Sequence, residues 1–127
     1  TTVMNNANSC SPNAGSIDFD ALLARCMGRS DLMERILKSF HKSASHEIET
    51  LMIAIETSNL AAVQNGSHKL KGTALTASAN KLAQLANELY STANSEMTVE
   101  FPDLSAQLSQ EFESIEKLLT MREMGAV

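Results

Sequence analysis

The chain has 127 residues, a net charge of -5, 4% aromatic residues, no tryptophan and two prolines. That length fits one domain able to bury a core without disulfides, and abundant Ala, Leu, Ser, Met and Glu favour helices over sheets. An acidic chain with no basic cluster beyond K-L-K near residue 70 lacks the footprint of a nucleic-acid binder, and its short apolar runs and polar first residues do not support membrane spans or a secretion signal.

Residues 1–16 are rich in Asn, Ser and Thr, with Pro12 and Gly15, a composition that reads as a disordered linker or tail. From Ile17 the pattern changes. Phe19, Leu22, Leu23 and Cys26 recur at helical spacing up to Gly28, predicting a short amphipathic helix. Ser30 or Asp31 is placed to cap the next helix, with Glu34 completing a capping box after Asp31. Leu32, Ile36, Leu37, Phe40, Ala44, Ile48, Leu51, Met52 and Ile55 then hold helical phase to about residue 57, as one long helix or two nearly continuous ones.

Asn59 can cap a third segment running to about residue 78. After Ser78-Ala79-Asn80, a fourth carries Leu82, Leu85, Ala86, Leu89 and Ala93. Past Pro102 and Asp103 a last helix carries Leu104, Leu108, Phe112, Ile115 and Leu119, and it is expected to fray into M-R-E-M-G-A-V. The fold expected is therefore all-α, an antiparallel up-down four-helix bundle with a short N-terminal helix. The domain spans 17–123, and 124–127 form a frayed tail.

Cys10 and Cys26 have neither metal-ligand nor disulfide-framework spacing, which suits reduced thiols and a cytoplasmic setting. His41 and His46, five apart, are a poor helical pair for one metal ion and read as solvated surface residues; no metal site is expected. The methionines read as core filling, and no Ser/His/Asp set or phosphate-cradling glycine loop is discernible.

The third segment carries S-H-K-L-K-G at 67–72. With His68 at 0° and about 100° per residue, Val63, Leu70, Ala74 and Ala77 fall on the far, core side, between about 180° and 240°. Gln64, Lys71, Gly72 and Leu75 gather within about 60° of the histidine, turned away from the bundle centre. His68 should be exposed. An exposed histidine without a task is the commoner case, but the two lysines favour an anion attached to the imidazole. Gly72, which costs a helix about 0.5–1 kcal/mol, clears space one turn along.

H-K-L-K-G matches the signature of the histidine-containing phosphotransfer domains, a histidine, any residue, an apolar residue, lysine and glycine. The stretch 17–40, I-D-F-D-A-L-L-A-R-C-M-G-R-S-D-L-M-E-R-I-L-K-S-F, also resembles that family's opening helix, turn and second helix, and with the leucine-rich helix 81–93 the resemblance covers about residues 17–122. It implies that His68 is the phosphoacceptor, exchanging a phosphoryl group with the aspartate of a receiver domain in a multistep two-component phosphorelay. The protein would then be a monomeric phosphocarrier and not an enzyme, with no bound cofactor. Its partners would be a response-regulator receiver domain, a hybrid sensor histidine kinase, or both, and the receiver would supply Mg²⁺. Lys71, with Lys69 as a second candidate, would neutralise the transferring oxygens. Gln64 would belong to the binding surface.

Three positions depart from the family. Glycines are common seven and ten residues after the histidine, where this chain has Leu75 and Ser78, and a Gln or Glu is common 22 residues after, where it has Tyr90. Leu75 would lie in the docking footprint, and the Tyr90 hydroxyl would either reach the second ring nitrogen or leave it free. A degenerate receiver-binding bundle that carries no phosphate, and a helical interaction bundle of another class, are the alternatives.

Overall fold

The computed structural model describes residues 16–96 and 98–123. Among them the chain is all-helical. Helix α1 spans Phe19–Arg25, α2 Ser30–Glu56, α3 Leu60–Thr76, α4 Asn80–Asn94 and α5 Phe101–Glu123, with a 3₁₀ turn at Thr98–Glu100 before α5. Most of the expected leader, residues 1–15, and the expected tail 124–127 lie outside the described residues. Ser16, assigned to the leader, is half-buried and hydrogen-bonds Glu111.

The apolar stripes meet in one core. Leu22, Leu51, Val63, Leu70, Leu82, Leu89, Leu108 and Ile115 are wholly or almost wholly removed from solvent. At about 25 cal/mol per Å² of apolar surface, such burial is the main force holding the helices together. Helix α3 packs chiefly on α4 and on α2, and α5 packs on α4 and, less extensively, on α2. Three cross-helix pairs join α3 to α4: Gln64 with Asn94, His68 with Tyr90, and Lys71 with Asn87. The number rises on one helix as it falls on the other, so the two run in opposite directions. Helices α2 and α5 do the same through His41 with Glu116 and Glu34 with Arg122. Gly66 lets α3 approach α2 closely, since a Cβ there would stand 3.3 Å from Leu51 Cδ1.

Local signals set several boundaries. Asn59 caps α3 as expected, its Oδ1 accepting from the Ala62 N–H at 3.2 Å, and Asp18 does the same for α1 through Ala21 at 3.0 Å. Helix α2 runs unbroken through all 27 residues. The capping box at its start does not form. The helix begins at Ser30 behind Arg29, which makes no side-chain cap, so Asp31 lies inside the first turn, where its carboxylate pairs with Arg29 at 3.0 Å. Glu34 pairs instead with Arg122.

The last helix also holds longer than its sequence suggests. Arg122 lies 4.6 Å above the Phe19 ring and pairs with Glu34, so M-R-E at 121–123 is helical rather than frayed. The first helix is shorter than expected, ending at Arg25 before Met27 and Gly28, both with positive φ. Helices α2 and α3 end similarly, with Ser58 (φ 56°) and Ser78 (φ 56°) in the left-handed region that glycine usually fills.

Candidate functional site

Helix α3 presents two different flanks. Its core side, through Val63, Ser67, Leu70 and Ala74, is buried, and the side opposite carries His68, exposed as its phase requires. Ser67 is a small polar residue at a fully buried position. It is satisfied within the helix, its hydroxyl donating to Val63 O at 2.6 Å. Gly72 and Leu75 continue the exposed ridge, and Leu75 keeps 46% of its surface. A Cβ on Gly72 would meet no heavy atom of the described residues within 4 Å, so packing among them gives no reason for glycine there.

The candidate residues divide between two sides of that ridge. Tyr90 of α4 stands beside His68, ring centroids 5.7 Å apart and planes inclined at 58°. This is a tilted aromatic contact, and no described hydrogen bond joins the Tyr90 hydroxyl to the imidazole. Gln64 donates to Asn94 Oδ1 at 3.1 Å, and Lys71 Nζ donates to Asn87 Oδ1 at 3.2 Å. Both Gln64 and Lys71 are half-buried toward α4 rather than turned fully outward, because the short side chains of Asn87 and Asn94 bring hydrogen-bonding groups to that seam. Lys69 lies on the other side. With Gly72, Thr73 and Thr76 it lines a shallow groove of about 500 Å³ whose α2 wall includes Ile36 and Phe40. The two lysines therefore flank the histidine instead of sharing one position.

Residues that the sequence pattern did not single out support this ridge. Glu47 of α2 is buried at 8% exposure, and its Oε2 accepts from the Thr73 hydroxyl at 3.1 Å. Arg25 of α1 reaches the end of α3, donating to Leu75 O, Thr76 O and Ser78 Oγ. Asn87, Tyr90 and Asn94 share one face of α4 at helical spacing of three and four. That spacing, read against an antiparallel α3, was the signal that could have found the two asparagines.

His41 is not simply solvated. Its Nε2 lies 3.0 Å from Glu116 Oε2, and its ring stacks on Phe112 at 5.8 Å and 11°. Among the described residues no group of three His, Cys, Asp or Glu side chains is arranged to hold a metal ion. None of the described helices is long and apolar enough to cross a membrane.

The family sequence model described as Hpt domain matches residues 35–118, a stretch that contains α3 whole and the ridge on it. The chain belongs to the Hpt domain family. Its coarse role follows, that of a histidine phosphotransfer module of two-component phosphorelays. The fold is similar to that of histidine-containing phosphotransfer protein B from Pseudomonas aeruginosa PAO1, with a TM-score of 0.78 and 21% identity over 86% of this chain and 95% of that one. No curated protein sequence matches the chain. In this Hpt domain His68 thus sits on an exposed helical ridge, flanked by a lysine on either side.

Proposed function

We propose that this Hpt domain carries a phosphoryl group on His68, taking it from a receiver-domain aspartyl phosphate and returning it to another. One ring nitrogen attacks phosphorus, the phosphorus–oxygen bond to the aspartate breaks, and the carboxylate leaves with the electron pair. The nitrogen–phosphorus bond formed stores the group until a second receiver's carboxylate displaces it. A histidine side chain is a competent nucleophile at neutral pH, so this chain's share of the chemistry is presentation and charge. Mg²⁺ would come with the receiver, and this chain acts as a phosphocarrier and not as an enzyme.

The observation that carries this reading is His68 exposed on α3 with open space over Gly72 one turn away. Gly72 gives up helix stability that no contact among the described residues recovers, which is understandable if a partner's surface passes there. Lys71 keeps two N–H donors beyond its bond to Asn87, enough to meet a phosphoryl oxygen. Tyr90 orients the imidazole by ring contact rather than by a hydrogen bond. Lys69, Gln64 and Leu75 belong to the docking surface for a response-regulator receiver or a hybrid sensor kinase.

The unit doing this is an antiparallel up-down four-helix bundle with a short N-terminal helix, acting as a monomer over residues 17–123. Opposed pairings between α3 and α4 and between α2 and α5 support that topology. A cytoplasmic setting goes with the reading, since buried Cys26 is an unbridged thiol. Incubating the chain with a phosphorylated receiver tests the proposal: acid-labile, alkali-stable label should move onto it. Receiver binding with no transfer of label would favour a docking module that carries no phosphate.

A further inference from the structure

The carboxyl end of α3 is gripped by one side chain from α1. Arg25 Nη1 donates to Leu75 O at 3.1 Å and to Ser78 Oγ at 2.8 Å, and Nη2 donates to Thr76 O at 2.7 Å. The end of α3 is already closed by its own backbone, Ala79 N–H donating to Ala74 O at 2.9 Å and Ser78 N–H to Leu75 O at 3.1 Å, so a directed three-bond clamp from a distant element adds to that closure and fills no vacancy. A guanidinium also carries positive charge to the negative end of the helix dipole. The same turn is held a second time, by the Asp18 N–H donating to Ser78 O at 3.0 Å. Ser78 itself adopts φ 56°, a conformation costly for a residue with a Cβ, and its hydroxyl bond to Arg25 helps hold it there.

What the clamp fixes is the backbone of Leu75. That residue is the large apolar side chain on the His68 ridge, two turns from the imidazole and about 20° off in phase. A last helical turn left to itself frays. The Arg25 fork, together with the Ser78 N–H, holds the backbone at the Leu75 carbonyl and its neighbour's, from which the Leu75 side chain is presented on the His68 ridge.

We infer that Arg25 is a positioning residue for phosphotransfer, fixing the last turn of α3 so that Leu75 meets the receiver in a set relation to His68; this rests on the phosphocarrier reading above. The guanidinium acts through Leu75 and does not touch the transferring group. Its removal should therefore change how much receiver is needed without changing the chemical step.

The test measures transfer from the phosphorylated 127-residue chain to a receiver, as a function of receiver concentration, in wild type, Arg25→Ala, Leu75→Ala and the double variant. Arg25→Ala should raise the half-saturating receiver concentration about threefold to tenfold, in the range of coupling between residues in contact, and leave the saturating rate and the receiver-free phosphohistidine lifetime unchanged. In the Leu75→Ala background the same change should shrink to less than about twofold. Should Arg25→Ala melt, Arg25→Lys carries the test, because a lysine keeps the cation but cannot fork across two carbonyls and a hydroxyl, and a partial rise is expected. Equal effects in both Leu75 backgrounds, or a lowered melting temperature with unaltered half-saturation, would overturn the assignment. Wild-type chain that takes no phosphate would sink the carrier reading along with it, whereas normal wild-type transfer with multiplicative variants would sink the role of Arg25 alone.

Discussion

Gly72→Ala should make this protein more stable and worse at its task. Position 72 lies inside α3, four residues from its end at Thr76, with no unusual backbone angle, and a Cβ there would meet no heavy atom within 4 Å. The methyl group thus adds helix propensity without strain, a gain of about 0.8 kcal/mol. For a domain of about 100 residues, with an unfolding entropy of about 2.1 cal/mol/K per residue, that raises the melting temperature by about 4 °C. Gly66 on the same helix provides the contrast. There the added Cβ would stand 3.3 Å from Leu51 Cδ1, so the packing of α2 must give and the gain should shrink or reverse. On the functional side, a methyl one turn from His68 intrudes on a surface that a partner must approach within bonding distance. Misplacement by about 1 Å at a reacting centre can cost on the order of a hundredfold, so a drop in transfer rate of at least about tenfold is expected. Thermal melting followed by circular dichroism, alongside phosphotransfer from a labelled receiver, reads both effects. A fall in melting temperature would refute the packing argument, and a higher melting temperature with undiminished transfer would refute the clearance argument.

Leu75→Ala should weaken receiver affinity while barely moving the melting temperature; with 46% of the residue exposed, docking can bury at most that exposed part, about 1 kcal/mol, and calorimetry with unaltered affinity and lost stability would contradict this. Lys71→Ala should slow transfer or shorten the phosphohistidine lifetime by up to about tenfold with the fold intact, since its bond to Asn87 is a single exposed contact; unchanged kinetics would make its charge incidental. Burial holds the Glu111 carboxyl above the usual carboxylate range, against the pull of Lys81 and a hydrogen bond from Ser16. Because the folded state favours the protonated acid, its contribution to stability is present below the unfolded-state value and is lost as pH rises through the higher folded one. Glu111→Gln should accordingly raise the melting temperature at pH 7 and gain little near about pH 4, and a larger gain at the acid end would reverse the sign of the argument.

Periodicity was enough for the frame of this domain. The stripe from Leu32 to Ile55 forms one helix, Asn59 caps the next, and the phase of His68 against Val63, Leu70 and Ala74 puts the imidazole in solvent. These features depend on residues within a few turns of each other. What escaped depends on partners far along the chain. Arg25 and Glu47 stand out in no local pattern, because their partners are the end of α3 and Thr73. The box expected at Asp31 and Glu34 lost its glutamate to Arg122, a residue expected to fray, because α5 returns alongside α2. Ser78, a departure from the family's glycine, keeps the left-handed turn through hydrogen bonds that no local pattern announces.

The central claim is that one nitrogen-bearing side chain on the α3 ridge holds the phosphoryl group. Tandem mass spectrometry of the chain after incubation with a phosphorylated receiver, kept at alkaline pH throughout, addresses it directly. The added phosphoryl mass should map to His68 alone, and His68→Gln, which stays helical, should acquire none. Phosphate mapped to His41 or His46, or label persisting at the wild-type level in His68→Gln, would contradict the account.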